Sequence, residues 1–226
     1  MKERPILFNG AMVRAILEGR KTVTRRIAKP VTHPDLGNIY APGALVLERE
    51  PQHVIDRACP YGQPGDRLWV RETWTDVNMC GAPALAYRAD EDIRDLMEEP
   101  GFLDDRGAFN YDDPRVKPYP FACWYAELDR ARWRPSIHMP RWASRILLEI
   151  TAVRVERLQD IGEEQALAEG VRGEPCDHTR QACADIGCWG DTAKGAFGFL
   201  WESLNGEGSW AANPWVWVVE FKRVTP

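Results

Sequence analysis

A chain of 226 residues, 44% of them hydrophobic, is long enough for one domain with a sizeable core, and no apolar run approaches a membrane span. A net charge of −5 argues against indiscriminate binding to nucleic acid backbone. Met1-Lys2-Glu3-Arg4-Pro5 carries no apolar leader, so the six cysteines are expected to be reduced thiols in a cytoplasmic protein.

The charge is uneven. Residues 90–113 hold ten acids against Arg94 and Arg106, a net −8, which leaves the remainder at +3. Ten tryptophans are many for this length. Most suit a core, and one or two at a site mouth could stack on a base.

Pro5 to Phe8 predicts a short strand. Met12, Val13, Ile16 and Leu17 recur at helical spacing over Gly10 to Glu18, and Gly19 stands where a C-cap glycine belongs. Lys21, Thr22, Val23, Thr24, Arg25 and Arg26 follow, and the β-branched residues favour extended backbone. Side chains three apart on an ideal strand face opposite ways, so Lys21 and Thr24 meet only across a bend, which is expected here in place of a paired strand.

Residues 27–64, rich in Pro and Gly, read as loop with a strand at Ala44 to Glu48. Leu68 to Trp74 predicts a strand after the turn at Gly62 to Asp66. Glu72 falls on its Leu68/Val70 face, where a carboxylate needs a partner. An ion pair with Arg25 or Arg145 would satisfy it, and that is compatible with a role as a site carboxylate.

Residues 76–120 read as an acidic insertion, a solvated flap or partner-facing surface, with a strand at Ala84 to Tyr87 and a helix over Glu91 to Met97. Phe121 to Glu127 reads as a strand. Arg130, Arg132, Arg134, Arg141 and Arg145, threaded with Trp133 and Trp142, suit phosphate and stacking contacts, or else arginines lying over buried rings. His138, between Pro135 and Pro140, is expected to hold loop geometry.

Arg145 to Glu156 predicts a long strand and Glu163 to Glu169 a helix ending at Gly170. A glutamate at a helix C-terminus opposes the helix dipole, so Glu169 needs a reason to be there. A Cys-rich insertion, 173–195, places Cys176, His178, Cys183 and Cys188 within thirteen residues. That set suggests zinc, yet it lacks a C-x-x-C pair, so free thiols are expected and no metal is assigned. Ala196 to Leu204 predicts a helix and Trp215 to Phe221 the closing strand. Scattered strands without a β-α-β rhythm argue against a Rossmann-type sheet and fit an α+β fold with a small barrel.

Gly19-Arg20-Lys21-Thr22-Val23-Thr24-Arg25-Arg26 matches the G-x-K-x-x-T-x-R pattern of the ASCH domain, a relative of the PUA-like barrels. Pro5 to Asn9, Gly65 to Trp74, Pro135 to Ala143 and Asn213 to Val218 resemble further pieces of the larger, phage- and prophage-type members. The resemblance implies one ASCH/PUA-like domain over 1–226, a small mixed β-barrel with helices packed over its ends and two insertions. The run from Leu158 to Gly170 is similar to a second ASCH element. In the small bacterial enzymes that hydrolyse N4-acetylcytidine, the helix there ends in a catalytic glutamate, here Glu169.

The resemblance thus implies an amidohydrolase with Thr24 as nucleophile, Lys21 as the base that activates it and Glu169 as proton donor. Arg20, Arg25, Arg26, Glu72, Trp74, Arg141 and Arg145 would contact substrate. Partners would be a nucleoside or single-stranded RNA, with no membrane and no cofactor, and the chain a monomer. A non-catalytic RNA or nucleotide reader, and a ribonuclease, are the other readings.

Overall fold

A computed structural model describes residues 1–171 and 192–225. The fold is α+β, and it divides into two compact units. The first holds Met1–Arg4, Ala15–Leu68 and Leu147–Thr225, and the second Pro5–Arg14 and Trp69–Ile146. Among the described residues no helix is long and apolar enough to cross a membrane.

The first unit is organised on two long strands, β9 (Leu147–Arg157) and β10 (Trp215–Val224), paired antiparallel with a bulge at Glu220/Phe221. β10 pairs on its other edge with β2 (Val23–Ile27), where Val219 lies opposite Thr24. The five-stranded sheet runs β1-β5-β9-β10-β2, with β1 at Glu3–Leu7 and β5 at Arg67–Arg71. β1 and β2 are its edges, so among the described residues the sheet is open rather than closed into a barrel.

Alternation along β10 sends Val216 and Val218 to one face, where they pack with Val23, Leu158, Ile161, Ala166, Phe197, Trp201 and Trp210. Two helices supply that cover, α4 (Glu163–Ala168) and α5 (Ala193–Asn205). Each large apolar side chain buried there contributes about 1.5–3 kcal/mol. Thr192 caps α5 by accepting from the Gly195 amide at 3.0 Å. The Glu163 carboxylate accepts from the Ala193 amide at 2.7 Å, so the start of α4 also caps α5.

Two segments of this unit differ from the sequence reading. Ala44–Leu47 is one helical turn, α2, not a strand, and α3 (Gln52–Ala58) follows it in the expected loop. Val46 is the one β-branched residue in α2, and Gly43, at φ +84, starts the turn. Short strands β3 (Val31–Thr32) and β4 (Ile39–Tyr40) pair between β2 and α2.

In the second unit, β6 (Trp74–Met79), β7 (Ala82–Tyr87) and β8 (Ile93–Asp95) form an antiparallel meander. The expected helix over Glu91 to Met97 is therefore β8 followed by a 3₁₀ turn, because Ile93 pairs with Ala86. Phe121 to Glu127 is not a strand either. Phe121 has φ +48, and its amide donates to Asp76 Oδ2 at 2.9 Å instead of to a ladder. The acidic segment buries Leu85, Tyr87, Leu96, Phe102 and Phe109 in one cluster with Trp74, Phe121 and Met139. Its acids cover a core that it shares with Trp74, Phe121 and Met139, which a solvated flap would lack.

Candidate functional site

The turn into β2 is built by α1, Gly10–Leu17. Gly19 has φ +75, its amide donates to Ile16 O, and the Arg20 amide donates to Ala15 O. This Schellman arrangement stops the helix and turns the chain at once. Lys21 then forms an isolated antiparallel bridge with Glu169, and the Thr22 amide donates to Ala168 O at 2.8 Å. β2 starts two residues later. The bend expected between Lys21 and Thr24 is thus a bridge running into a paired strand, since Ala168 and β10 both supply backbone partners.

Glu169 is the C-cap residue of α4, and Gly170 follows at φ +88. A Cβ on Gly170 would stand 2.8 Å from Ala15 Cβ and 3.0 Å from Lys21 Cβ. Glycine is needed there both for its φ and for the close approach of α1 and α4 to Lys21.

The Lys21 side chain is 0% exposed and that of Glu169 3%. Lys21 Nζ donates to Glu169 Oε2 at 2.6 Å, to Glu169 O at 2.9 Å and to Val23 O at 2.8 Å. Arg25 Nη1 donates to Glu169 Oε1 at 3.1 Å. Its Nη2 donates to Glu156 Oε1 at 2.7 Å and to Gln165 Oε1 at 2.9 Å, and its Nε to Glu156 Oε1 at 3.2 Å. Every guanidinium nitrogen is engaged, which fixes Arg25 and, through it, the Glu169 carboxylate. The two cations are also the reason a glutamate stands at this helix end against the dipole.

Beyond Glu156 the network continues. Glu156 Oε2 accepts from Arg154 Nε at 3.0 Å, and Arg154 Nη1 donates to Glu220. Lys21, Glu169, Arg25, Glu156, Arg154 and Glu220 thus form a ladder of alternating charge. Burial pulls the Lys21 amine below its ordinary 10.5, Glu169 opposes that, and Arg26 and Arg25 add to it. Arg26 is likewise lowered by burial, with Tyr61 and Glu169 opposing.

The structure joins Lys21, Arg25 and Glu169. Thr24 is buried in β2, and its hydroxyl makes no hydrogen bond with a described residue. Strand alternation puts Val23 and Arg25 under α4 and α5, and Thr24 and Arg26 on the other face of β2. Arg20 donates to Glu18 Oε2 at 2.6 Å and to Gly170 O at 2.7 Å, tying the turn to the end of α4. Gln165 and Glu156 were missed by sequence reasoning. Gln165 had a signal, standing one helical turn before Glu169, whereas nothing marked Glu156 in β9.

Glu72, Trp74, Arg141 and Arg145 belong to the second unit. Arg145 grips Glu72 with two nitrogens, Nε at 2.9 Å and Nη2 at 3.0 Å, so of the two expected partners Arg145 is the one used. Asp90 and Asp92 also hold Arg145, which lies 4.1 Å over the Tyr87 ring. Burial raises the Glu72 carboxyl above its usual range, and Arg145 opposes this. Trp74 is 0% exposed in the aromatic cluster, so its ring presents no face to a base. Arg141 and His138 stand in successive 3₁₀ turns.

Cys176, His178, Cys183 and Cys188 lie outside the described residues. Among the described residues no group of three or more His, Cys, Asp or Glu could hold a metal. No family model, no curated protein and no solved structure matches the chain.

Proposed function

We propose that the chain is an ASCH-type, PUA-like protein that hydrolyses an N4-acylated cytosine nucleoside. The observation that carries this reading is the buried Lys21–Glu169 contact at 2.6 Å, in a site that lowers the lysine pKa. A lysine serves as a general base only when neutral, and burial favours that form. In the proposed reaction Thr24 Oγ attacks the acyl carbonyl and Lys21 takes its proton. Lys21 passes that proton across the contact to Glu169, which delivers it to the departing exocyclic nitrogen, releasing cytidine, and water then frees the carboxylate from Thr24. The Thr24–Lys21 hydrogen bond would form in the substrate complex, as such bonds commonly tighten only there. The PUA-like reading rests on the helix-to-strand junction at Gly19 and on the long β9–β10 pair.

A second reading, a nucleotide or RNA reader without chemistry, also draws on a specific observation. Three acceptors already surround the Lys21 ammonium, and the Thr24 hydroxyl is not hydrogen-bonded to it. The test is purified protein with N4-acetylcytidine, beside a single-stranded RNA control. The hydrolase reading predicts cytidine and acetate, with turnover lost in Thr24→Ala. Glu169→Gln should slow turnover by about 10²–10⁴-fold while retaining substrate binding. RNA binding with the nucleoside left intact would favour the reader instead.

A further inference from the structure

A cleft of about 270 Å³ opens in the first unit between α4 and strands β2, β9 and β10. Neither Lys21, Thr24 nor Glu169 lines it. Its polar lining is Thr22, Thr151, Arg154, Glu164, Gln165 and Glu220. Such a volume, near the lower end for ligand pockets, suits a small molecule.

Among the described residues, the charges lining this cleft are two carboxylates and one guanidinium. That guanidinium is already committed, because Arg154 donates Nε to Glu156 and Nη1 to Glu220. It is held between carboxylates and is poorly placed to bind an anion. Glu164 makes no ion pair or hydrogen bond with a described residue, so among those residues its charge is unanswered. Gln165 uses Oε1 to accept from Arg25 and from the Gly162 amide at 3.3 Å, which orients the amide. Its Nε2 donor is left without a partner among the described residues, as are the hydroxyls of Thr22 and Thr151. Among the described residues the cleft therefore offers an excess negative charge, a fixed amide donor and two hydroxyls.

We propose that this cleft binds a small organic cation that also carries a carbonyl, of the amino-acid-amide type, at a site distinct from the Lys21–Glu169 pair. Glu164 and Glu220 answer the cation, and Gln165 Nε2 donates to the carbonyl. A phosphate is excluded, because it would meet two carboxylates and an arginine that Glu156 and Glu220 already hold. The proposal goes beyond the hydrolase reading and stands or falls without it. One residue connects the two regions: Gln165 lines the cleft and braces Arg25 against Glu169.

The experiment is an NMR titration of the full ¹⁵N-labelled chain with argininamide, with propionamide and inorganic phosphate as controls. Argininamide should give saturable shifts at the amides of Thr151, Glu164, Gln165 and Glu220, weaker at high salt. Propionamide, which keeps the carbonyl and lacks the charge, should bind more weakly. Glu164→Gln and Glu220→Gln should each weaken argininamide by about twofold to fivefold, the range for a solvent-facing ion pair. Glu164 has no partner to lose among the described residues, so its variant keeps the fold, and melting curves verify this for both. Absence of saturable shifts would overturn the site. Phosphate shifting the same amides, or folded variants that bind argininamide unchanged, would do so equally.

Discussion

At the scale of single residues, the burial of Lys21 governs both stability and chemistry. Removing one member of a buried ion pair strands the other, at about 3–5 kcal/mol. Lys21→Met should therefore destabilise the fold by about that amount, because among the described residues Glu169 keeps only Arg25 as an ion-pair partner. Adding Glu169→Gln should recover part of the loss, and urea unfolding of the single and double variants measures the coupling. The pH dependence follows from the same burial. The folded Lys21 binds its proton less tightly than the unfolded chain, whose lysine has the ordinary 10.5. Between the lowered value and 10.5 the unfolded state holds more protons, so stability contributed by this residue rises with pH through that window. Below the window both states are protonated and the penalty is complete. The stability difference between wild type and Lys21→Met, followed across alkaline pH, should move in favour of wild type as pH climbs.

At the scale of elements, the two glycine helix ends beside the site make a contrast. A Cβ on Gly19, at φ +75, would meet nothing within 4 Å, whereas a Cβ on Gly170 would press on Ala15 and Lys21. Gly19→Ala should cost about 1–2 kcal/mol, the left-handed backbone penalty alone. Gly170→Ala should cost about 1–3 kcal/mol more from overpacking, measured by the same unfolding curves. These ends were legible because glycine after an apolar helical period has one conformational use. α1, α4, α5, β9 and β10 were legible for the same kind of reason, a sustained period of one type. Ala44–Leu47 and Ile93–Asp95 were not. Segments of three or four residues carry no period, and Gly43 and the Ala86 pairing decided them. The proximity of Lys21 and Glu169 could be read from motif resemblance alone. Arg25's grip on Glu156 and Gln165 could not, because it depends on how β2, β9 and α4 meet.

At the scale of the whole molecule, charge composition misled where packing decided. Residues 90–113 are strongly acidic, yet Leu96, Phe102 and Phe109 are buried. Phe102→Ala should cost about 3–5 kcal/mol in unfolding free energy, against within about 0.5 for a residue on a solvated flap. Function is the other question at this scale, and it rests on whether the first unit's buried lysine does chemistry. The most direct measurement is cytidine release from N4-acetylcytidine as a function of pH, for wild type and for Lys21→Ala. The hydrolase reading predicts a wild-type rate that rises as pH passes the lowered lysine value, and no turnover in the variant. Intact nucleoside at every pH, or equal release by Lys21→Ala, would contradict it.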